Sequence, residues 1–204
     1  LIAAIAVLFL TYIARWYKGQ MEYIKRQRKN TVEKKPNLAV SKSIRYAIFV
    51  LVFIVFARSW YQAAISNFYA FYAIETYNIS IANSQIYIFV FLAMGALGTF
   101  IGGPLADWFG RRNVILFSLV AAAPLTIILP FVGPTLAFIF LALIGLILMT
   151  SFSVTVVYAQ ELVPGKIGTM SGLIVGLAFG MGAIGAVALG GLIDWFGLNE
   201  TMIF

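Results

Sequence analysis

The sequence has no cysteine and no histidine. The first absence excludes disulfides, thiolate nucleophiles and zinc–thiolate sites. The second removes the imidazole base and the commonest metal ligand, which leaves any proton chemistry to Asp, Glu, Lys or Tyr. Charge is scarce too: 10% of the 204 residues are Asp, Glu, Lys or Arg, against about a quarter in soluble domains. With 62% hydrophobic residues, this poverty of charge marks an integral membrane protein. The apolar residues fall in blocks close to the roughly 20 needed to cross a hydrocarbon core as a helix, without the strict alternation of a barrel strand. An all-α, polytopic transmembrane bundle follows, because in lipid every backbone N–H and C=O of a helix is paired within its own segment.

Six apolar spans are expected, at about 1–17, 44–72, 82–106, 113–131, 135–160 and 169–193. The chain opens inside an apolar run with no initiator Met and no charged leader, so it does not read as a signal peptide. Both terminal runs are expected to belong to something longer. Residues 18–43 form the one polar stretch long enough to be a linker, and they are strongly basic. Lys and Arg accumulate in cytoplasmic loops. Ten basic residues from Arg15 to Arg45, with Arg111, Arg112 and Lys166, fall on one side if every span crosses, while Arg58 lies within a span. The linker, the turn at 110–112 and the turn at 161–168 are therefore expected in the cytoplasm. The net charge of +7 then reflects topology and contact with anionic lipid. Nucleic acid is not an expected partner, since no basic patch is interleaved with exposed aromatics.

Charge returns abruptly at residues 102–113, GGPLADWFGRRN. The stretch Gly103-Pro104-Leu105-Ala106-Asp107-Trp108-Phe109-Gly110 has an echo, Gly190-Gly191-Leu192-Ile193-Asp194-Trp195-Phe196-Gly197, with six of eight positions matching at an offset of 87 residues. Three spans separate the copies, so they face opposite sides of the membrane, as in an inverted-topology repeat. Only the first copy continues into arginines.

Gly103-x-x-x-Asp107-x-x-Gly110-Arg111-Arg112 resembles the signature loop of the major facilitator superfamily, with Trp108 where that family usually has Arg or Lys. The resemblance runs along the whole chain. It implies the C-terminal six-helix half of a twelve-helix carrier, built of inverted three-helix repeats and incomplete at both ends. On that reading residues 1–17 are the end of helix six, 18–43 the basic cytoplasmic central loop, and 44–204 helices seven to eleven with the start of twelve. Four stretches, ISNFYAFYAIETYNIS, IGGPLADWFGRRNVI, VYAQELVPGKIGTMSGL and GLAFGMGAIGAVALG, are similar to the fosmidomycin-resistance branch of the superfamily. That similarity implies a bacterial inner-membrane exporter, a monomer when complete, which expels a small anionic phosphonate drug in exchange for protons and uses no metal or cofactor.

The candidate residues fall into three groups. Gly103, Asp107, Gly110, Arg111 and Arg112 are expected to form a conformational latch: the arginines pair with Asp107 or with a neighbouring helix, and free N–H groups at the following helix start favour the aspartate. Gly168, Gly172, Gly176 and Gly180 recur every fourth residue, and Gly95, Gly98 and Gly102 lie in the third span. Such spacing lets helix backbones approach closely, and the resemblance directs both stripes toward the other six-helix half. Arg58, Gln62, Ser66 and Tyr69 share one helical face, as do Ser151, Thr155, Tyr158 and Glu161. The resemblance turns both faces toward a central substrate cavity, although the hydroxyls of the second group can equally be satisfied by their own backbone. Arg58 is the sharpest candidate, an ion near mid-membrane. Pro124 is expected to kink the fourth span.

The expected function is proton-coupled efflux by alternating access. A carrier of an endogenous phosphorylated or anionic metabolite is the alternative. A membrane-embedded enzyme is disfavoured because no acid pair, nucleophile–base pair or metal-ligand cluster occurs at membrane depth, and a non-transporting receptor is a further rival.

Overall fold

The computed structural model describes residues 42–203, which belong to one compact unit. The expected end of helix six at 1–17 and nearly all of the basic loop lie outside the described residues, whereas Lys42 and Ser43 already belong to the first helix. Five long helices follow: α1 (Lys42–Tyr77), α2 (Ile81–Phe109), α3 (Arg111–Ile128), α4 (Pro134–Leu162) and α5 (Ile167–Phe196), with a short α6 (Leu198–Ile203) after them. All five long helices, α3 with the 3-10 turn that extends it to Phe131, are long and apolar enough to cross a membrane. At 36 residues, α1 is about 54 Å long, well beyond the ~30 Å hydrocarbon core, so its ends reach out of the bilayer.

Local signals set the boundaries. Ser80 caps α2 by accepting a hydrogen bond from the Asn83 N–H at 3.3 Å, which satisfies a donor that a helix start leaves free. Pro134 opens α4, where its missing N–H costs nothing. Pro124 lies inside α3, which continues to Ile128.

The repeat seen in sequence is repeated in backbone geometry. Gly110 closes α2 at φ 83°, ψ 140°, and Gly197 closes α5 at φ 89°, ψ 160°. Each donates its N–H to the carbonyl four residues back, Ala106 at 3.0 Å and Ile193 at 2.9 Å. Each then offers its own carbonyl to the next helix, to Val114 and Thr201, both at 3.2 Å. A positive φ here favours glycine strongly over any residue with a side chain.

Helix α4 is the most buried of the five and α5 the least. The most extensive helix pair is α2 with α4, and the second is α1 with α5; these two pairs exchange under the inverted repeat. A Cβ placed on Gly98 would collide with the Leu146 carbonyl, one on Gly102 with that of Thr150, and one on Gly145 with that of Phe91. The glycines of α2 are thus consumed inside this half, against α4, rather than facing another half as expected. The cause is simple: a glycine stripe meets whichever helix has matching small residues, and α4 supplies Gly145. At the offset of 87 residues, Gly95 and Gly98 become Gly182 and Gly185, which lie against Ser59 and Trp60 of α1 with more room, at 3.7 and 3.0 Å from a built Cβ. By contrast Gly168, Gly172, Gly176 and Gly180 have nothing within 4 Å.

Away from the arginines, three phenols tie the bundle together. Tyr72 donates to the Pro130 carbonyl (3.2 Å), Tyr77 to that of Val132 (3.0 Å), and Tyr87 to that of Pro134 (3.2 Å). They join α1 and α2 to the α3–α4 turn, and their rings pack with Tyr69 and Phe138.

Because Gly98 has no room for a methyl group, Gly98→Ala should force α2 and α4 apart and destabilise the protein by about 1–3 kcal/mol. The expected result is a lower melting temperature of the purified protein in detergent. An unchanged melting temperature would show that the backbones stand farther apart than described.

Candidate substrate cavity and charge cluster

Helices α1, α2, α4 and α5 line an open cavity of about 610 Å³. Its polar wall comes from Ser59, Gln62, Ser66 and Asn67 of α1 and Thr99 of α2, and its apolar wall includes Met149 and Phe152 of α4 and Phe179 of α5. Several of these groups have spare capacity. The Ser66 hydroxyl is buried without a hydrogen-bond partner. Asn67 uses one N–H of its NH2 on the Ala63 carbonyl at 2.8 Å, whereas Thr99 spends its one O–H on the Gly95 carbonyl at 3.0 Å.

Arg58 does not line this cavity but packs on Phe152, which does. It is 3% exposed, and its guanidinium carbon stands 4.8 Å from the centre of the Phe152 ring. Among the described residues it has no carboxylate partner, and its Nε is buried without a hydrogen bond. Its position, 16 residues into α1, is about 24 Å along the helix, so neither end of α1 is within easy reach of the side chain. A buried cation left without an anion is costly in itself, and an aromatic face offsets only part of that cost.

Of the expected substrate face on α1, Gln62 and Ser66 line the cavity, whereas Arg58 does not line it and meets its wall only through Phe152. Tyr69 does not: it packs against Tyr72 and Tyr87, with ring centres 5.5 and 6.2 Å away, and lines a separate space of about 290 Å³ with Trp60 and Thr126. The residues 58 and 69 share a face but stand ~16 Å apart along the axis. Ser151 and Thr155, expected beside them, are fully buried and donate to the Leu148 and Ser151 carbonyls of their own helix. Their hydroxyls are thereby spent, and neither reaches the cavity. Ser59, Asn67 and Thr99 were not singled out from sequence; each sits one helical position off the predicted stripe or within a glycine run, where spacing alone gives no signal.

Tyr158 belongs to a second site. With Asp107, Gly110, Arg111, Arg112 and Glu161 it lines a depression of about 420 Å³ at the basic end. Arg111 forms an ion pair with Glu161 at the end of α4. This is the neighbouring-helix alternative, and Asp107 makes no ion pair among the described residues. Nor does Asp107 cap α3, whose first turn has no side-chain cap. Asn113 donates to the Phe109 carbonyl at 3.0 Å, which secures the turn held by Gly110. Gly103 faces open space, and Trp108 is exposed. Lys42, Arg45, Arg111, Arg112 and Lys166 all lie near this end of the bundle, and Arg58 is the single described base away from it. No group of three metal-ligating side chains occurs among the described residues.

Comparison with known proteins agrees with this architecture. The sequence profile of the Major Facilitator Superfamily matches residues 1–187. An uncharacterized MFS-type transporter, YfnC, of Bacillus subtilis is 63% identical over 203 residues, covering all of this chain and 50% of the relative. The fosmidomycin resistance protein of Escherichia coli is 41% identical over 194 residues, covering 95% of this chain and 47% of that protein. The chain spans about half the length of the curated relatives it matches. An all-helical bundle of five membrane-length helices, an echoed Asp-Trp-Phe-Gly turn and a profile match over most of its length all lead to one assignment: the chain belongs to the major facilitator superfamily.

Proposed function

We propose that the described helices form half of an alternating-access carrier that exports a small anionic drug of the fosmidomycin type in exchange for protons. One observation carries this reading: Arg58 is buried near mid-helix with no acid partner among the described residues, and its guanidinium packs on Phe152, which lines a cavity with Gln62, Ser66 and Asn67. An anionic substrate would supply the missing counter-charge, and a phosphonate can accept two parallel hydrogen bonds from one guanidinium. The 41% identity to a fosmidomycin resistance protein favours this substrate class. On this reading Arg58, Gln62 and Ser66 contact the substrate, while Ser151, Thr155 and Tyr69 hold the scaffold around it. A carrier of an endogenous phosphorylated metabolite would use the same arginine.

The other half of the carrier would close the cavity. The open stripe of Gly168, Gly172, Gly176 and Gly180 on α5 is the surface best suited to it, since small residues permit close helix approach without a hydrophobic drive. The basic end would lie in the cytoplasm, and Asp107, Arg111, Arg112 and Glu161 would latch that side. Among the described residues the acids Glu75, Asp107, Glu161, Asp194 and Glu200 are all exposed and near helix ends. A proton-coupling acid is expected at depth, so on this reading it belongs to the other half.

Arg58→Met in the full-length protein should accumulate in the membrane at least as well as the parent, since a central arginine costs about 2.5–3.5 kcal/mol to insert, and yet lose fosmidomycin resistance. Full resistance in the mutant would remove Arg58 from the site. For the latch, Arg111→Glu should slow transport, and adding Glu161→Arg should restore part of it. The two side chains are 27% and 52% exposed, so the gain is expected to be only severalfold, in keeping with the ~0–1 kcal/mol of a partly solvated pair. A double mutant no better than the single would count against the pair.

A further inference from the structure

The Arg58–Phe152 contact joins the first helix of one repeat to the first helix of the other, at the cavity wall. Its chemistry is unusual for a buried guanidinium. A carboxylate partner would neutralise the charge and occupy the N–H donors that a substrate needs. An aromatic ring attracts the cation through its negative face and takes none of the five N–H groups, all of which lie in the guanidinium plane. The ring therefore holds the group without consuming the donors that an oxyanion would need, and the Arg58 Nε has no hydrogen-bond partner. Phe152 is also well placed to be held itself: it lies on α4, the most buried helix, one turn from Met149, which is in contact with Gly95 of α2.

We propose that Phe152 is the positioning residue for Arg58, orienting the guanidinium toward an anionic substrate in the cavity; this rests on the reading of Arg58 as a substrate contact. Removing the π-face while keeping an apolar side chain of similar bulk leaves the arginine in place but free to rotate. The loss then falls on recognition of the anion and spares the later steps of transport.

The test uses the full-length protein in proteoliposomes, with fosmidomycin as the transported probe, and compares Phe152→Leu, Phe152→Tyr and Arg58→Met. Phe152→Leu is expected to raise KM on the order of tenfold, the scale of one desolvated cation–π contact, with a near-normal maximal rate. Phe152→Tyr, which keeps the ring face, should return KM to within about twofold of the parent. An unchanged KM in Phe152→Leu, with transport abolished in Arg58→Met, would overturn the positioning role and leave the arginine in the site. Equal loss of membrane protein in Phe152→Leu and Phe152→Tyr would reduce Phe152 to packing and overturn it as well. An unchanged KM in Arg58→Met would overturn the substrate reading of Arg58, and the role of Phe152 would fall with it.

Discussion

The rest of this half depends on how closely α2 approaches α4. Without Cβ atoms at Gly98, Gly102 and Gly145, the two backbones touch carbonyl to Cα, and dispersion between them substitutes for the hydrophobic drive that lipid does not provide. That contact makes α4 the buried axis of the bundle. It fixes Met149 and Phe152 at the cavity wall and carries Glu161 to the end where Arg111 waits. Displacing either helix would alter the cavity and the charge cluster together, although they lie at different depths.

The inverted repeat would make α1 and α5 a copy of that pair, and the copy is imperfect. Gly182 and Gly185 stand where Gly95 and Gly98 stand, but at the same offset the counterpart of Gly145 is Arg58. A glycine that admits a neighbouring backbone in one pair is thus replaced by the bulkiest cation in the other. The α1–α5 contact is correspondingly looser, and space remains between these helices, lined by Ser59, Ala178 and Gly182. The close-approach glycines Gly102 and Gly145 thus have Leu189 and Arg58 as counterparts, and the second of these is the residue with an unmet charge.

The helices were legible in the sequence because a membrane imposes a length and a polarity that local composition must obey; every described span appears within a few residues of its expected place. The largest difference is at the end of α1, where Glu75 and Thr76 ended the apolar count but Tyr72 and Tyr77 found carbonyl partners in a distant turn. The Asp107–Arg112 turn was legible because glycine at positive φ leaves a strong mark. Its ionic partner was harder, since Glu161 is fifty residues from Arg111 and no spacing rule links them. The glycines of α2 carried the right chemistry with the wrong neighbour, because a smooth stripe does not name what will lie on it. Ser151 and Thr155 shared a face with good candidates, yet a hydroxyl on a helix can always turn back to its own carbonyl.

The phenol hydroxyls that reach the carbonyls of the α3–α4 turn carry no formal charge. Their strength is nearly indifferent to dissolved ions, whereas a partly exposed pair such as Arg111–Glu161 weakens as salt screens it. The two ends of this half are thus fastened by different chemistry. One end can respond to the ionic composition of the solution that bathes it, and the other keeps its shape whatever that composition is.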